Sequence, residues 1–276
     1  MTDSLTAEPP ADPTATTTVP VPGPIPPAAG GDPTGPVEPI VEPDPERRRR
    51  LIDLSHPITE GMTTYPGIPG PTLGSHLTFE ESAAHYATGT EFQIGTISLA
   101  ANTGTYLDTP AHRYRDGDDL GAFPLERMAD LDGLVVRVGP ADAAADPASV
   151  FVDELRLQSA IGDRVVTGRA LLIETGHSAK WGQPGYFRDH PHLTDGAVEY
   201  LLTLRPVLVG IDSLNIDGTH TGRRPAHSWL LAAGIPVVEH LTRLDELPDE
   251  GFRFTAAPPA VVGMATFPVR AFAVLD

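Results

Sequence analysis

PAHSWLLAAGIPVVEHL, residues 225–241, decides how the chain folds. Pro225 suits the first turn of a helix, where its missing N–H would have no partner anyway. Gly234 suits the position just past a helix end, where a left-handed backbone costs glycine little. IPVVEH then reads as a strand, apolar and β-branched. A helix over 225–233 is therefore expected to turn back through Gly234 into a strand over 236–240. About nine helical residues rise ~13 Å, and about four extended residues cover a similar length. His227 at the helix start and Glu239 near the strand end are thus expected to meet. A glutamate in so apolar a strand is costly unless it is paired or bound to a metal ion. The plainer alternative pairs Glu239 with Arg243 and leaves His227 as part of the helix start.

The same alternation runs outward from this unit. Further strands are expected at 51–54, 94–100, 133–139, 170–175, 206–213 and 267–275, rich in Val, Ile and Leu and bounded by Gly, Pro or Asp. Further helices are expected at 152–160 and 194–204. Thr194 suits the N-cap of the second, with Asp195 in its first turn. Strands alternating with short helices argue for an α/β fold. The first half has fewer helices, so a mixed β-sheet with flanking helices is expected rather than a purely parallel one.

Composition separates the chain into two regions. Residues 1–46 contain 13 of the 30 prolines, eight acidic residues, no basic residue and no aromatic. Such a segment cannot bury enough apolar surface to offset the entropy of ordering, so it is expected to be disordered. RRRR follows at 47–50, read as a solvated edge, which makes 1–50 a tail and 51–276 the domain. All ten histidines lie in 51–276. With 19 basic against 37 acidic side chains, the net charge of −18 gives no electrostatic reason to bind nucleic acid or anionic lipid. There is no cysteine, so thiolate metal sites and cysteine nucleophiles are excluded. No apolar run approaches a membrane span, and the N-terminus lacks a secretory pattern, so a cytoplasmic protein is expected.

Four stretches carry polar groups suited to chemistry. ANTGTYLDTPAHRY (101–114) follows a strand, and Gly104 and Pro110 force an irregular path that places Asp108 and His112 four residues apart. The second stretch is 225–241. VGIDSLNIDGTHTGRRPAH (209–227) places Asp212, Asp217, His220, Arg223 and Arg224 in a glycine-containing loop. LLIETGHSAKWG (171–182) ends a strand with Glu174, His177 and Trp181. There is no glycine-rich phosphate loop, no GxSxG and no HExxH, so nucleotide and serine-hydrolase readings have no support.

Taken in order, LIDLSHPITEGMTTYPGIPGP, LLIETGHSAKWG, YFRDHPHLTDGAVEYLL, VGIDSLNID and HSWLLAAGIPVVEHLTRLDELP resemble the cyclase family of metal-dependent hydrolases, which includes bacterial kynurenine formamidases. The resemblance spans nearly all of 51–276. It implies a swivelling β/β/α-type single domain. The family's metal string HxGTHxDxPxH stands here as NTGTYLDTPAH: Gly104, Thr105, Asp108, Pro110 and His112 match, while Asn102 and Tyr106 replace two histidines.

The resemblance implies that Asp108, His227 and Glu239 hold a divalent ion, Zn²⁺ or Mn²⁺, one per chain. Asn102 would be a weaker amide-oxygen donor. His112 maps onto the family's acid/base residue. Tyr106 would serve as a phenol or phenolate ligand, or as a hydrogen-bond donor to substrate or oxyanion. Tyr65, Trp181 and His220 are candidate substrate contacts. The implied activity is hydrolysis of a small amide, formamide or lactone, a small-molecule reaction in a homodimer or larger homo-oligomer. Two alternatives stand beside it: a family member that has lost hydrolysis and serves in ligand binding or assembly, and a dehydratase or cyclase using Tyr106 and His112.

Overall fold

The computed structural model describes residues 49–139 and 150–275. The acidic tail expected over 1–46, with Arg47 and Arg48, lies outside the described residues. In chain order the elements are β1 (Arg50–Asp53), β2 (Thr72–Leu77), α1 (Phe79–His85), β3 (Ile94–Ser98), β4 (Tyr106–Asp108), β5 (Leu131–Arg137), β6 (Phe151–Val152), α2 (Glu154–Ile161), β7 (Ala170–Glu174), β8 (His192–Leu193), α3 (Asp195–Leu204), β9 (Leu208–Ile211), α4 (Pro225–Ala232), β10 (Val237–Glu239), β11 (Phe252–Thr255), β12 (Thr266–Pro268) and β13 (Phe272–Leu275). The described residues form two compact units, a small one over 75–95 and a large one holding the remainder.

The large unit is built on a nine-stranded sheet in the order β1-β13-β11-β5-β7-β9-β10-β4-β12. Strands β5, β7, β9 and β10 run parallel at its centre, and the flanking pairs are antiparallel, giving the mixed sheet expected. Only Val269, Arg270 and Ala271 separate β12 from β13, yet β12 ends the sheet and β13 is second from its other end. Four residue steps reach at most about 14 Å, whereas seven strand spacings in a flat sheet exceed about 30 Å. The sheet is therefore curled until its ends are joined by a three-residue strap. The amide of Val269 donates to Thr105 O and that of Leu54 to Ala271 O, each at 2.8 Å, which anchors the strap at both ends.

Side-chain alternation along the central strands feeds two cores. Leu134, Val136, Leu171, Ile173, Val209 and Ile211 pack with Leu157, Leu201 and Leu230 from α2, α3 and α4. Val135, Leu172, Val238, Leu107 and Phe254 face the opposite side and pack together. Both faces are buried, so these strands read as continuous apolar runs.

Several expectations are met closely. Thr194 caps α3 by accepting from the Ala197 amide, Pro225 begins α4, and Gly234 follows it at φ +69°. The segment 267–275, expected as one strand, is broken at the strap because its halves serve opposite ends of the sheet. Strands β2, β4, β6, β8 and β11 and helix α1 are not among the expected elements. Helix α1 carries a legible signal: Thr78 and Glu81 form a reciprocal capping box. Among the described residues no helix is long and apolar enough to cross a membrane.

Candidate metal centre

Strand β4 is three residues long, and its register builds the site. Leu107 points into the core, so Tyr106 and Asp108 share the other face. Tyr106 lies opposite Glu239 of β10 and Asp108 opposite Thr266 of β12. Directly opposed residues on one face are within side-chain reach. The Tyr106 hydroxyl donates to Glu239 Oε2, and the Thr266 hydroxyl donates to Asp108 Oδ1.

Helix α4 brings the imidazole. Asp217 accepts from the amides of Ala226 and His227 at 2.7 and 3.0 Å, satisfying two free N–H groups at the helix start. The same carboxylate takes His227 Nδ1 at 2.6 Å. A carboxylate can only accept here, so Nδ1 carries a proton and Nε2 faces the site. His227 Nε2 lies 3.5 Å from Asp108 Oδ2 and 3.6 Å from Glu239 Oε1. The helix-and-return geometry read from 225–241 thus delivers the expected meeting.

All four groups are buried. Burial lowers the His227 pKa, but Glu239, Asp108 and Asp217 more than reverse this and raise it to about 10. Burial and the nearby Asp108 charge lift Glu239 to about 7, against the opposing pull of His227, Tyr106 and the Ile216 amide. Burial, then Glu239 and Asp108, push Tyr106 well above the usual phenol value. Without an ion Tyr106 is therefore a neutral donor. Burial raises Asp217, but the hydrogen bond and charge of His227 outweigh it and hold it low.

These residues fit a divalent cation. Asp108 Oδ2 is buried with no hydrogen-bond partner among the described residues. Donor atoms around a tetrahedral ion at ~2.0–2.2 Å lie about 3.3–3.6 Å apart, which matches the spacings of Asp108 and Glu239 from His227. The Asp217–His227 bond is the orienting carboxylate that metal-bound histidines commonly use. Among the described residues, the three donor groups that all fall within 4.8 Å of one another are Asp108, His112 and His227, a set without Glu239. His112, in a single 3-10 turn Pro110–His112, engages through Nδ1 with Thr266 Oγ1 at 2.9 Å and Asp108 Oδ1 at 3.2 Å.

A cavity of about 100 Å³ opens onto these groups, lined by Asn102, Tyr106, His112, Asn215, His227 and Glu239, with Arg113 and Arg224. The Asn102 side chain hydrogen-bonds the Tyr106 hydroxyl. Of the candidate substrate contacts, none lines this cavity. Trp181 stacks on His56 with ring centroids 3.9 Å apart and borders a separate cleft with Met62 and Phe187. Tyr65 is half-buried at a bend, and His220 is exposed. Asp212 serves structure: it accepts from the Thr175 amide and hydroxyl and from the Gly176 amide. Thr266 and Asp217 are the site residues whose parts were not anticipated. Asp217 stands ten residues before His227, a spacing with no local period to betray the contact. Thr266 meets Asp108 only through the strand register.

The Cyclase family matches residues 52–218. The kynurenine formamidase of Geobacillus thermodenitrificans is 29% identical over 223 residues, covering 80% of this chain and 95% of the relative. That of Bacillus mycoides is 28% identical over 228 residues, with the same coverage. Among solved structures, isatin hydrolase A from Ralstonia solanacearum superposes with a TM-score of 0.67 at 22% identity, covering 83% of this chain and 92% of that one. Isatin hydrolase A from Labrenzia aggregata gives 0.68 at 20% identity, covering 82% and 94%. Identities this low establish a shared fold.

Proposed function

This chain belongs to the Cyclase family, and we propose that it is a cytoplasmic, metal-dependent hydrolase of a small amide, formamide or lactone, holding one Zn²⁺ or Mn²⁺ per chain. The observation that carries this reading is the buried, unbonded Asp108 Oδ2 facing a His227 Nε2 that Asp217 has already oriented. Asp108, His227 and Glu239 would hold the ion, with Asn102 at most a weak additional donor. An ion there supplies Lewis acidity, polarising a carbonyl and making water more acidic. The kynurenine formamidase relatives support the choice of a carbon–nitrogen bond outside a peptide.

The chain's own residues divide the remaining work. His112 is the proton carrier, because Thr266 and Asp108 occupy its Nδ1 and leave Nε2 for substrate or water. Tyr106 keeps its proton and fixes the Glu239 carboxylate from across the strand pair. Purified protein should contain about one divalent ion per chain by elemental analysis and hydrolyse an aryl formamide, and Asp108→Ala should lose both. Activity that survives Asp108→Ala and chelation overturns the reading.

The proposal extends to a homodimer or larger homo-oligomer. Its support is the exposed apolar side chains Leu73 and Ile97 of the large unit. Light scattering at micromolar concentration tests it, and a monomer there rejects it.

A further inference from the structure

The structure assigns recognition of a carboxylate on the substrate to Arg113 and Arg224, so that the molecule cleaved is an anion. This rests on the hydrolase reading of the same site and names its substrate class. Both arginines border the metal-centre cavity, and both also border an adjoining cavity of about 360 Å³ with Ser228 and Trp229. They therefore stand where the two spaces meet, between the reacting end and the rest of a bound molecule.

Their bonding leaves them available. Eight other arginines of the large unit are paired with carboxylates, among them Arg223 with Asp195 at 2.6 Å. Neither Arg113 nor Arg224 has a carboxylate within ion-pair distance among the described residues. Arg113 spends only Nε, on Ser228 Oγ at 3.2 Å. Arg224 spends only Nη1, on the carbonyls of Gly218 and Arg223. Those bonds orient each guanidinium while leaving its other nitrogens without a partner among the described residues. A planar fork with free N–H groups is the geometry that takes a carboxylate in two parallel hydrogen bonds.

The charge around them sharpens the point. In a chain of net charge −18, two unpaired cations bordering one small cavity run against the general surface. Glu239 lines the same cavity and repels an anion. A carboxylate placed at the arginines is held away from it, which leaves the amide or ester carbonyl for the rest of the cavity.

The test compares formanilide, which is neutral, with 2-, 3- and 4-formamidobenzoate, which carry a carboxylate at three distances. At least one anionic isomer should exceed formanilide in kcat/KM by about tenfold or more, mainly through KM, as expected for charge-assisted binding. Arg113→Gln and Arg224→Gln should each cut that preference about tenfold, with Lys at either position restoring part of it. Added salt should weaken the preference as well. Arg113 is exposed, so its replacement keeps the test open if Arg224→Gln disturbs the start of α4. Equal kcat/KM for neutral and anionic substrates, or variants that lower both by the same factor, overturns the assignment and leaves the hydrolase reading intact. If none of the four compounds is cleaved, the hydrolase reading fails for this class. Calorimetric binding of benzoate against benzamide to the metal-loaded protein then decides the arginines alone: benzoate binding lost in both variants supports them, and binding unchanged by both rejects them.

Discussion

The Tyr106 hydroxyl donates to Glu239 Oε2 across the β4–β10 pair, from a position where the family's metal string carries a histidine. The resemblance implies a histidine ligand there; in this chain the tyrosine hydroxyl instead holds the Glu239 carboxylate in place. Tyr106→Phe should lower stability by about 1–3 kcal/mol, the cost of leaving a buried acceptor short of a partner. Chemical denaturation of the chelated protein measures it, and no change in midpoint would show the bond to be idle.

Asp217 would act on a bound ion through His227. Replacing it with Asn keeps the shape but removes the charge behind Nδ1. Metal affinity should fall by about 10–100-fold, the usual effect of losing an orienting carboxylate. Competition with a coloured chelator reads this directly. A variant that binds as tightly as the parent contradicts the orienting role.

His112→Gln separates a proton carrier from a ligand. kcat should fall by about 10²–10⁴-fold while the metal content stays the same. Loss of the ion in this variant would move His112 into the ligand set with Asp108 and His227.

Acidity without the ion has a definite sign. The folded-state pKa of His227 is raised from 6.5 to about 10, so its contribution to stability is complete below about 6.5 and lost as pH rises toward 10. Glu239, raised from 4.5 to about 7, acts in the same direction over its own lower range. The chelated protein should therefore lose thermal stability from neutral to alkaline pH. Ion binding should tighten over the same interval and release about one proton near neutral pH, visible as buffer-dependent binding heat. Binding heat independent of the buffer would contradict it.

Gly133 in β5 sits under Phe252. A Cβ there would lie 1.9 Å from the ring, so the buried Phe252 side chain would have to shift. Gly133→Ala should cost about 1–3 kcal/mol, measured by urea unfolding. Unchanged stability would mean the ring has room to move.

What the sequence reveals here follows the range of its contacts. Helix α4, Gly234 and β10 are adjacent in the chain, so local chemistry specifies them and the meeting of His227 with Glu239 follows from their lengths. The caps Thr194 and Pro225 are equally local. Thr266 is different: it touches Asp108 from 158 residues away, through a register that no local pattern encodes. The break at Val269–Ala271 is invisible for a similar reason. Its residues suit a strand, and only the closure of the sheet demands an interruption. Asn102 and Tyr106 stand out in the sequence only against the metal string of the resembled family, and the bond from Tyr106 to Glu239 rests on strand register.

The strap between β12 and β13 sets the order in which this enzyme can be completed. As the chain leaves the ribosome, β4, α4 and β10 can already bring Asp108, His227 and Glu239 near one another. Thr266, which holds both Asp108 and His112, arrives among the final strands, in the same short piece that joins the two ends of the sheet. Sealing of the barrel-like wall and tuning of the proton carrier are then one late event. A partly synthesised chain would hold acidic groups without the hydroxyl that aims them, and competence would come only with closure.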